Sequence, residues 1–222
     1  MKFADFLKSL TVPVVVWLLI FASAGTVSYW QGWLFFAVFV ISCSLYTIYL
    51  IKYDPALLKR RMQAGPQAEQ RPVQRAVMFA TTLGFMLLIV FSGIDYRFQW
   101  SHLPSSIVVF GNILVALSLY LCGVVSKENT FAAATIRTFE GQYVISTGLY
   151  GIVRHPMYSA ALLLVFGMTL ALGSMWATMV APLMVPILIA RIIDEESCLR
   201  AELQGYNEYC ERVRYRLIPW VY

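Results

Sequence analysis

Three side chains able to hold a ligand, Arg154, His155 and Tyr158, stand at one boundary of this 222-residue chain. Pro156 lies between them, and the longest apolar run, Ser159 to Ile193, starts immediately afterwards. A proline suits the first turn of a helix, where its missing N–H would have had no partner. The unpaired amides and positive dipole end of such a helix favour a carboxylate or a phosphate. Arg154 can clamp the same group through two parallel hydrogen bonds. The plainer alternative makes Arg154 an interfacial arginine reaching for lipid phosphate and His155 the cap of a turn.

A second set of candidates follows the apolar run. Asp194, Glu195 and Glu196 are adjacent at the point where a helix would leave the hydrocarbon. Three neighbouring acids are costly beside anionic headgroups unless they hold something cationic. One helical turn on, Glu195 shares a face with Leu199 and Glu196 with Arg200. Tyr206 and Tyr209 come next, beside Gly205 and Asn207, and then Arg212, Arg214 and Arg216 alternate up to Ile218, Pro219 and Trp220. A ligand with a carboxylate, a cation and an aromatic base suits these parts. An acidic surface patch followed by a basic membrane-hugging strand is the alternative.

The elements that must position these residues are membrane helices. The chain is 59% apolar and only 13% charged, with a mean hydropathy of +0.68, whereas about a quarter of an ordinary soluble domain is charged. A soluble chain this short could not bury so much apolar surface in one core. Several stretches reach about 18 residues with almost no charge, enough helix to cross about 30 Å of hydrocarbon. The expected fold is all-α: one polytopic transmembrane bundle over residues 1–222, with spans near 12–29, 34–51, 76–94 and 106–125 and a helical hairpin over 159–193. That last run is too long for one straight crossing. Gly173 and Ser174 mark its turn, and Pro182 and Pro186 should kink its second arm.

The rest of the chain fits that frame. Residues 1–10 read as an amphipathic lead-in at the interface rather than part of a cleaved leader. Trp30 to Trp33 read as a tight turn in the headgroup belt. Residues 52–75 form a basic loop in which Ala56 to Ala64 is a short interfacial helix, its arginines facing phosphates or marking the inner side. Asp95 to Ser105 is a loop poor in charge, and residues 127–150 are polar and turn-rich. With six crossings and an inner amino terminus, residues 1–11, 52–75, 126–158 and 191–222 face inward. These hold every Lys and Arg except Arg97. Both candidate clusters then face the cytoplasm. The net charge of +5 is thereby explained by orientation, and no nucleic-acid partner is expected. Cys43, Cys122, Cys198 and Cys210 have no metal or redox spacing, so no metal site is expected. No dinucleotide loop, phosphate loop or Ser-centred elbow is present. The near absence of charge inside the spans argues against an ion-coupled transporter.

The segment Gly148 to Tyr158, with Gly167, Glu195, Glu196, Leu199, Tyr206, Tyr209, Arg214, Arg216 and Pro219, resembles the isoprenylcysteine carboxyl methyltransferase and phospholipid methyltransferase group of membrane enzymes. The resemblance covers residues 141–219 and is closest to compact prokaryote-like members. It implies an integral protein of a prokaryotic inner or plasma membrane, with a cytoplasm-facing S-adenosylmethionine pocket and a lipid-side entrance. By that resemblance Tyr150, Arg154, His155, Pro156, Tyr158, Glu196 and Tyr209 hold the cofactor. Arg214, Arg216 and Glu195 serve the reaction. The acceptor is a membrane lipid or a lipophilic small molecule, either an isoprenylcysteine-like carboxylate or a lipid amine. A carboxylate acceptor needs an arginine to orient it, Arg214 or Arg216. An amine must be neutral to react, which asks for Glu195 or Glu196 nearby. Two rivals remain: an NADPH-dependent membrane reductase of the sterol reductase type, and a non-enzymatic scaffold.

Overall fold

The computed structural model describes residues 3–69, 71–132, 134–136 and 141–222, with 3–10 as backbone only. The α-helices are α1 (Phe3–Ala24), α2 (Trp30–Tyr53), α3 (Pro55–Met62), α4 (Pro72–Phe98), α5 (Ser105–Glu128), α6 (Pro156–Ala171), α7 (Met175–Val180), α8 (Met184–Glu202) and α9 (Tyr206–Arg212). Short 3-10 turns lie at Pro66–Ala68, Gly148–Gly151 and Ala181–Leu183. No strand occurs among the described residues. Four stretches are long and apolar enough to cross a bilayer: α2, α4, α5 and Met175–Glu202. The chain is an integral membrane protein built of helices.

Four of the six expected crossings meet that length among the described residues. The described apolar part of α1, Thr11–Ala24, and α6, Pro156–Ala171, are shorter. The first expected span stops at Ala24 because Gly25 turns the chain with a left-handed φ of 69°. The tight turn thus lies over Gly25 to Tyr29, and Trp30 to Trp33 already belong to α2. There Trp33 N donates to Tyr29 O at 3.2 Å, and its indole Nε1 donates to Val27 O at 2.8 Å. Within the long apolar run, α6 ends at Ala171, Gly173 takes a φ of 73° and α7 starts at Met175. Pro182 falls in the 3-10 turn before α8, whereas Pro186 lies inside α8.

The chain packs as two compact units. The first comprises residues 1–44, 83–118 and 163–183, the second residues 45–82, 119–162 and 184–222. In the first unit Asp95 belongs to α4 rather than to a loop, and it is buried. Its carboxylate accepts from Ser101 N at 2.8 Å, from Ser101 Oγ at 2.6 Å and from Ser174 Oγ. Three donors satisfy a charge that burial would otherwise penalise. The same unit brings α5 and α6 together backbone to backbone. A Cβ on Gly111 would fall 2.3 Å from Ala171 N, and one on Gly167 would fall 2.8 Å from Leu114 Cβ. Small residues let membrane helices approach this closely.

Gly111→Ala should therefore lower thermal stability in detergent, by about 2 kcal/mol of overpacking. Gly123→Ala is the control, because its new methyl would meet only Tyr46 Cδ2 at 3.8 Å. It should be neutral or slightly stabilising. Equal melting of the two variants would contradict the close helix contact.

Candidate functional site

The second unit holds a cleft. One wall is the segment around Asn129, Phe131 and Ala132, and another comes from Tyr150 to Tyr158; Glu195 to Leu203 of α8 and Tyr206 and Tyr209 of α9 complete it.

Backbone pairing joins the Arg-His-Pro boundary to the tail. Arg154 N donates to Tyr215 O and His155 N to Arg216 O, each at 2.9 Å. Ser159 Oγ donates to Leu217 O at 2.6 Å. Behind this pairing sits the buried carboxylate of Glu196. Its Oε1 lies 2.8 Å from Arg154 Nε and 3.3 Å from His155 Nε2. Its Oε2 accepts from Arg216 Nε at 3.1 Å and Nη2 at 3.0 Å. The Arg154 contact is an ion pair by distance, yet its Nε–H is not aimed at the oxygen, so Nε lacks a well-directed hydrogen bond. Arg154 Nη1 donates to Cys210 O at 3.4 Å and Val213 O at 3.3 Å. The anion that Arg154 clamps is thus Glu196 of its own chain.

A second network sets the cleft-facing side. Arg191, the lone charge of the long apolar run, donates from Nε to Tyr158 OH at 3.0 Å. Its Nη1 donates to Gln74 Oε1 at 3.0 Å, and its Nη2 to Glu69 Oε1 at 3.0 Å and Ala134 O at 2.8 Å. Every guanidinium nitrogen is engaged. Tyr158 OH in turn donates to Glu195 Oε2, and the Tyr158 ring stacks on His155 with centroids 5.5 Å apart. Asp194 points elsewhere: it pairs with Arg71 at 2.9 Å and accepts from Gln74 Nε2 at 2.6 Å. Of the three adjacent acids, Glu195 alone lines the cleft.

Of the residues expected from sequence, Tyr150, Arg154, His155, Tyr158, Glu195 and Tyr209 line the cleft. Pro156 opens α6 behind it, Glu196 and Arg216 form the internal pair, and Arg214 is exposed away from the wall. Arg191, Glu69 and Gln74 were missed as site residues. The available signal was an arginine at the end of an otherwise uncharged membrane run, which needs a partner to be there.

Burial favours the neutral form of three cleft phenols, Tyr150, Tyr206 and Tyr209. Burial pushes Tyr150 up to about 12, against the lowering effect of the Asn129 amide, which donates to its hydroxyl at 3.1 Å. Burial also raises Tyr206 and Tyr209, helped by the Glu196 charge near Tyr206 and by Tyr150 near Tyr209. Arg216 is raised by its bond to Glu196. Tyr209 OH donates to Tyr150 O at 2.7 Å. Two buried cleft atoms, Tyr206 OH and Thr135 Oγ1, have no hydrogen-bond partner among the described residues. Leaving such groups unmet is costly, and polar atoms of a bound molecule would satisfy them.

The cleft residues from Asn129 to Leu203 fall in a stretch with known relatives. Residues 106–204 match the phospholipid methyltransferase family model. The match relates that stretch to methyltransferases at family level, and it stops before Tyr206, Tyr209 and the tail arginines. A Delta(14)-sterol reductase of Mus musculus is 28% identical over 144 residues, covering 57% of this chain and 33% of the reductase. The chain thus matches about a third of that relative's length.

Two measurements test this geometry. Glu196→Gln or Arg154→Ala removes one side of a buried pair and should loosen the tail. Trypsin cleavage after the exposed Arg212 and Arg214 should then quicken by about tenfold or more, as expected for a lost charged hydrogen bond. Unchanged cleavage would contradict the docking role. The phenols give a pH test. A free phenol ionises at 10.0, and the folded chain keeps the Tyr150 proton up to about 12. Between those values the folded state binds more protons than the unfolded one, so stability should fall as pH rises through that window. Tyr150→Phe should flatten the fall; an identical profile would show that the phenol does not contribute.

Proposed function

We propose that the cleft binds S-adenosylmethionine and that the chain methylates a lipophilic acceptor in the membrane. The observation that carries this is Glu195. It is a cleft-facing carboxylate oriented by Tyr158 and Arg191, inside the stretch matched by the methyltransferase family. When bound, S-adenosylmethionine supplies an electrophilic methyl group on a cationic sulfonium. Glu195 offers that cation an anionic partner, and Tyr158 fixes the direction of the carboxylate. His155, stacked on Tyr158, closes the adjoining wall. Tyr206 OH and Thr135 Oγ1, without partners among the described residues, offer neutral hydrogen bonds. Val144, Leu199 and Leu203 pack against the Tyr206–Tyr209 cluster and exclude water there, which strengthens the charge interactions of the site.

Residues 141–219 constitute the cofactor region in this reading. The run over 159–193 is a hairpin, and the cleft faces the cytoplasm of a prokaryotic inner or plasma membrane. Acceptor chemistry follows the available charges. Arg216 is held by Glu196 and Arg214 lies away from the cleft wall, so neither is placed in the cleft to orient an isoprenylcysteine-like carboxylate. Glu195, by contrast, is placed to accept the proton that a lipid ammonium must lose.

The reductase relative motivates a second reading, in which the cleft takes NADPH. The charges favour the first. Pyrophosphate recognition calls for unspent cations. Arg154 is the one guanidinium among the described lining residues, and it is occupied by Glu196 and two carbonyls.

Calorimetry in detergent with the two cofactors side by side decides between them. S-adenosylmethionine should bind, and Glu195→Gln should weaken it by about tenfold or more at unchanged melting temperature. Binding of NADPH without S-adenosylmethionine would establish the reductase reading.

A further inference from the structure

Helix α3 begins two residues after α2, a membrane-length helix, ends at Tyr53. Asp54 caps it by accepting from Leu57 N at 2.9 Å, and Leu57 is fully buried, so α3 is anchored at the surface end of that helix. Its basic residues were expected to face lipid phosphates. Two of them instead hold the cleft wall. Arg60 Nη1 donates to Thr130 O at 2.8 Å, and Arg61 Nη1 donates to Ala132 O at 3.0 Å. Their guanidinium groups lie 5.7 Å from the ring centres of Phe131 and Tyr46, respectively. The segment they hold, Asn129 to Ala132, supplies cleft-lining residues. Its other bonds are a tether at its start, Asn129 Nδ2 to Tyr150 OH at 3.1 Å, and two local ones: Phe131 N donates to Asn129 Oδ1 at 2.9 Å and Ala132 N to Asn129 O at 3.2 Å.

The acceptors described for the two arginines are uncharged: the carbonyls of Thr130 and Ala132, with the Met157 thioether 3.8 Å from Arg61 Nη2. A phosphate oxygen is a stronger partner for a guanidinium than a neutral carbonyl. The surface of an anionic leaflet concentrates such phosphates where a basic segment leaves the membrane. Lys52 and Lys59 are exposed on the same stretch and add to the attraction. The Arg60 bond is itself solvent-exposed, which leaves it open to exchange of partners.

We infer that α3 is a binding site for anionic lipid headgroups, and that a lipid phosphate taking Arg60 and Arg61 releases residues 129–132 and opens that wall of the cleft. The neutral-membrane state is the closed one, with both arginines on the carbonyls. The anionic-membrane state is the open one.

Hydrogen–deuterium exchange on the full chain in nanodiscs tests this. In phosphatidylcholine alone the amides of Phe131 and Ala132 exchange slowly. With phosphatidylglycerol added they should exchange about tenfold faster, as expected when a charged hydrogen bond is released, and raised salt should reverse the gain. The double variant Arg60→Gln, Arg61→Gln should exchange fast in both lipids. Lys59→Gln keeps both tethers, so it should retain the slow rate in phosphatidylcholine and show a smaller lipid response, even if the double variant fails to fold. Equal or slower wild-type exchange in the anionic discs overturns the inference. So does an acceleration reproduced by inorganic phosphate in phosphatidylcholine discs, which would make the ligand a free anion. The readout needs no cofactor, so its failure is distinct from failure of the methyl-transfer reading.

Discussion

The carboxylate of Glu196 is the junction on which the second unit depends. Its side chain is only 4% exposed, and a lone charge so placed would be strongly unfavourable. Arg154, His155 and Arg216 surround it, two from opposite sides of a backbone pairing between residues 154–155 and 215–216. The side-chain cluster and the backbone ladder enforce each other. Glu196 keeps Arg216 only while the tail lies beside the start of α6, and the ladder with the Ser159 and Arg154 bonds to tail carbonyls helps to hold it there. The cleft inherits its shape from that closure, because Tyr209 and Tyr206 approach Tyr150 only when the tail is docked.

Adjacent acids do different work because neighbours on a helix point about 100° apart. Asp194 turns toward Arg71 and Gln74, Glu195 toward the cleft and Tyr158, and Glu196 toward the tail. Arg191, one turn earlier on α8, sits below this fan and ties it to Glu69 and Gln74. One helix end therefore distributes three negative charges to three places, two structural and one facing the cleft.

Much of this was legible in the sequence and some was not, for identifiable reasons. Apolar runs bounded by charge locate α2, α4 and α5 closely, since a bilayer imposes one length on every helix that crosses it. The turn near Gly173 was readable because a left-handed backbone favours glycine. The first turn was misplaced from Gly25 to Trp30 because tryptophan belongs to interfaces in helices and turns alike. Arg154, His155, Tyr158 and Glu195 were readable as candidates from their types, and all four line the cleft. The pairing of Arg154 with Glu196 was not, because a side chain able to clamp a ligand is equally able to clamp its own chain, and only distance decides. The Arg60 and Arg61 tethers to Thr130 and Ala132 were invisible for a related reason: backbone acceptors carry no sequence signature.

That ambiguity also explains why the functional residues stand out only after the structural ones are removed. A guanidinium or carboxylate shielded from water must be paired, and pairing consumes the charges of Glu69, Arg71, Arg154, Arg191, Asp194, Glu196 and Arg216 within the second unit. Glu195 differs. Among the described residues its side-chain hydrogen bond comes from the Tyr158 hydroxyl, and it faces the cleft. The hydroxyl orients the carboxylate, and the Arg191 guanidinium behind that hydroxyl offsets part of its charge without forming a direct ion pair with it. In the proposed reading a carboxylate placed this way favours a cation over a phosphate.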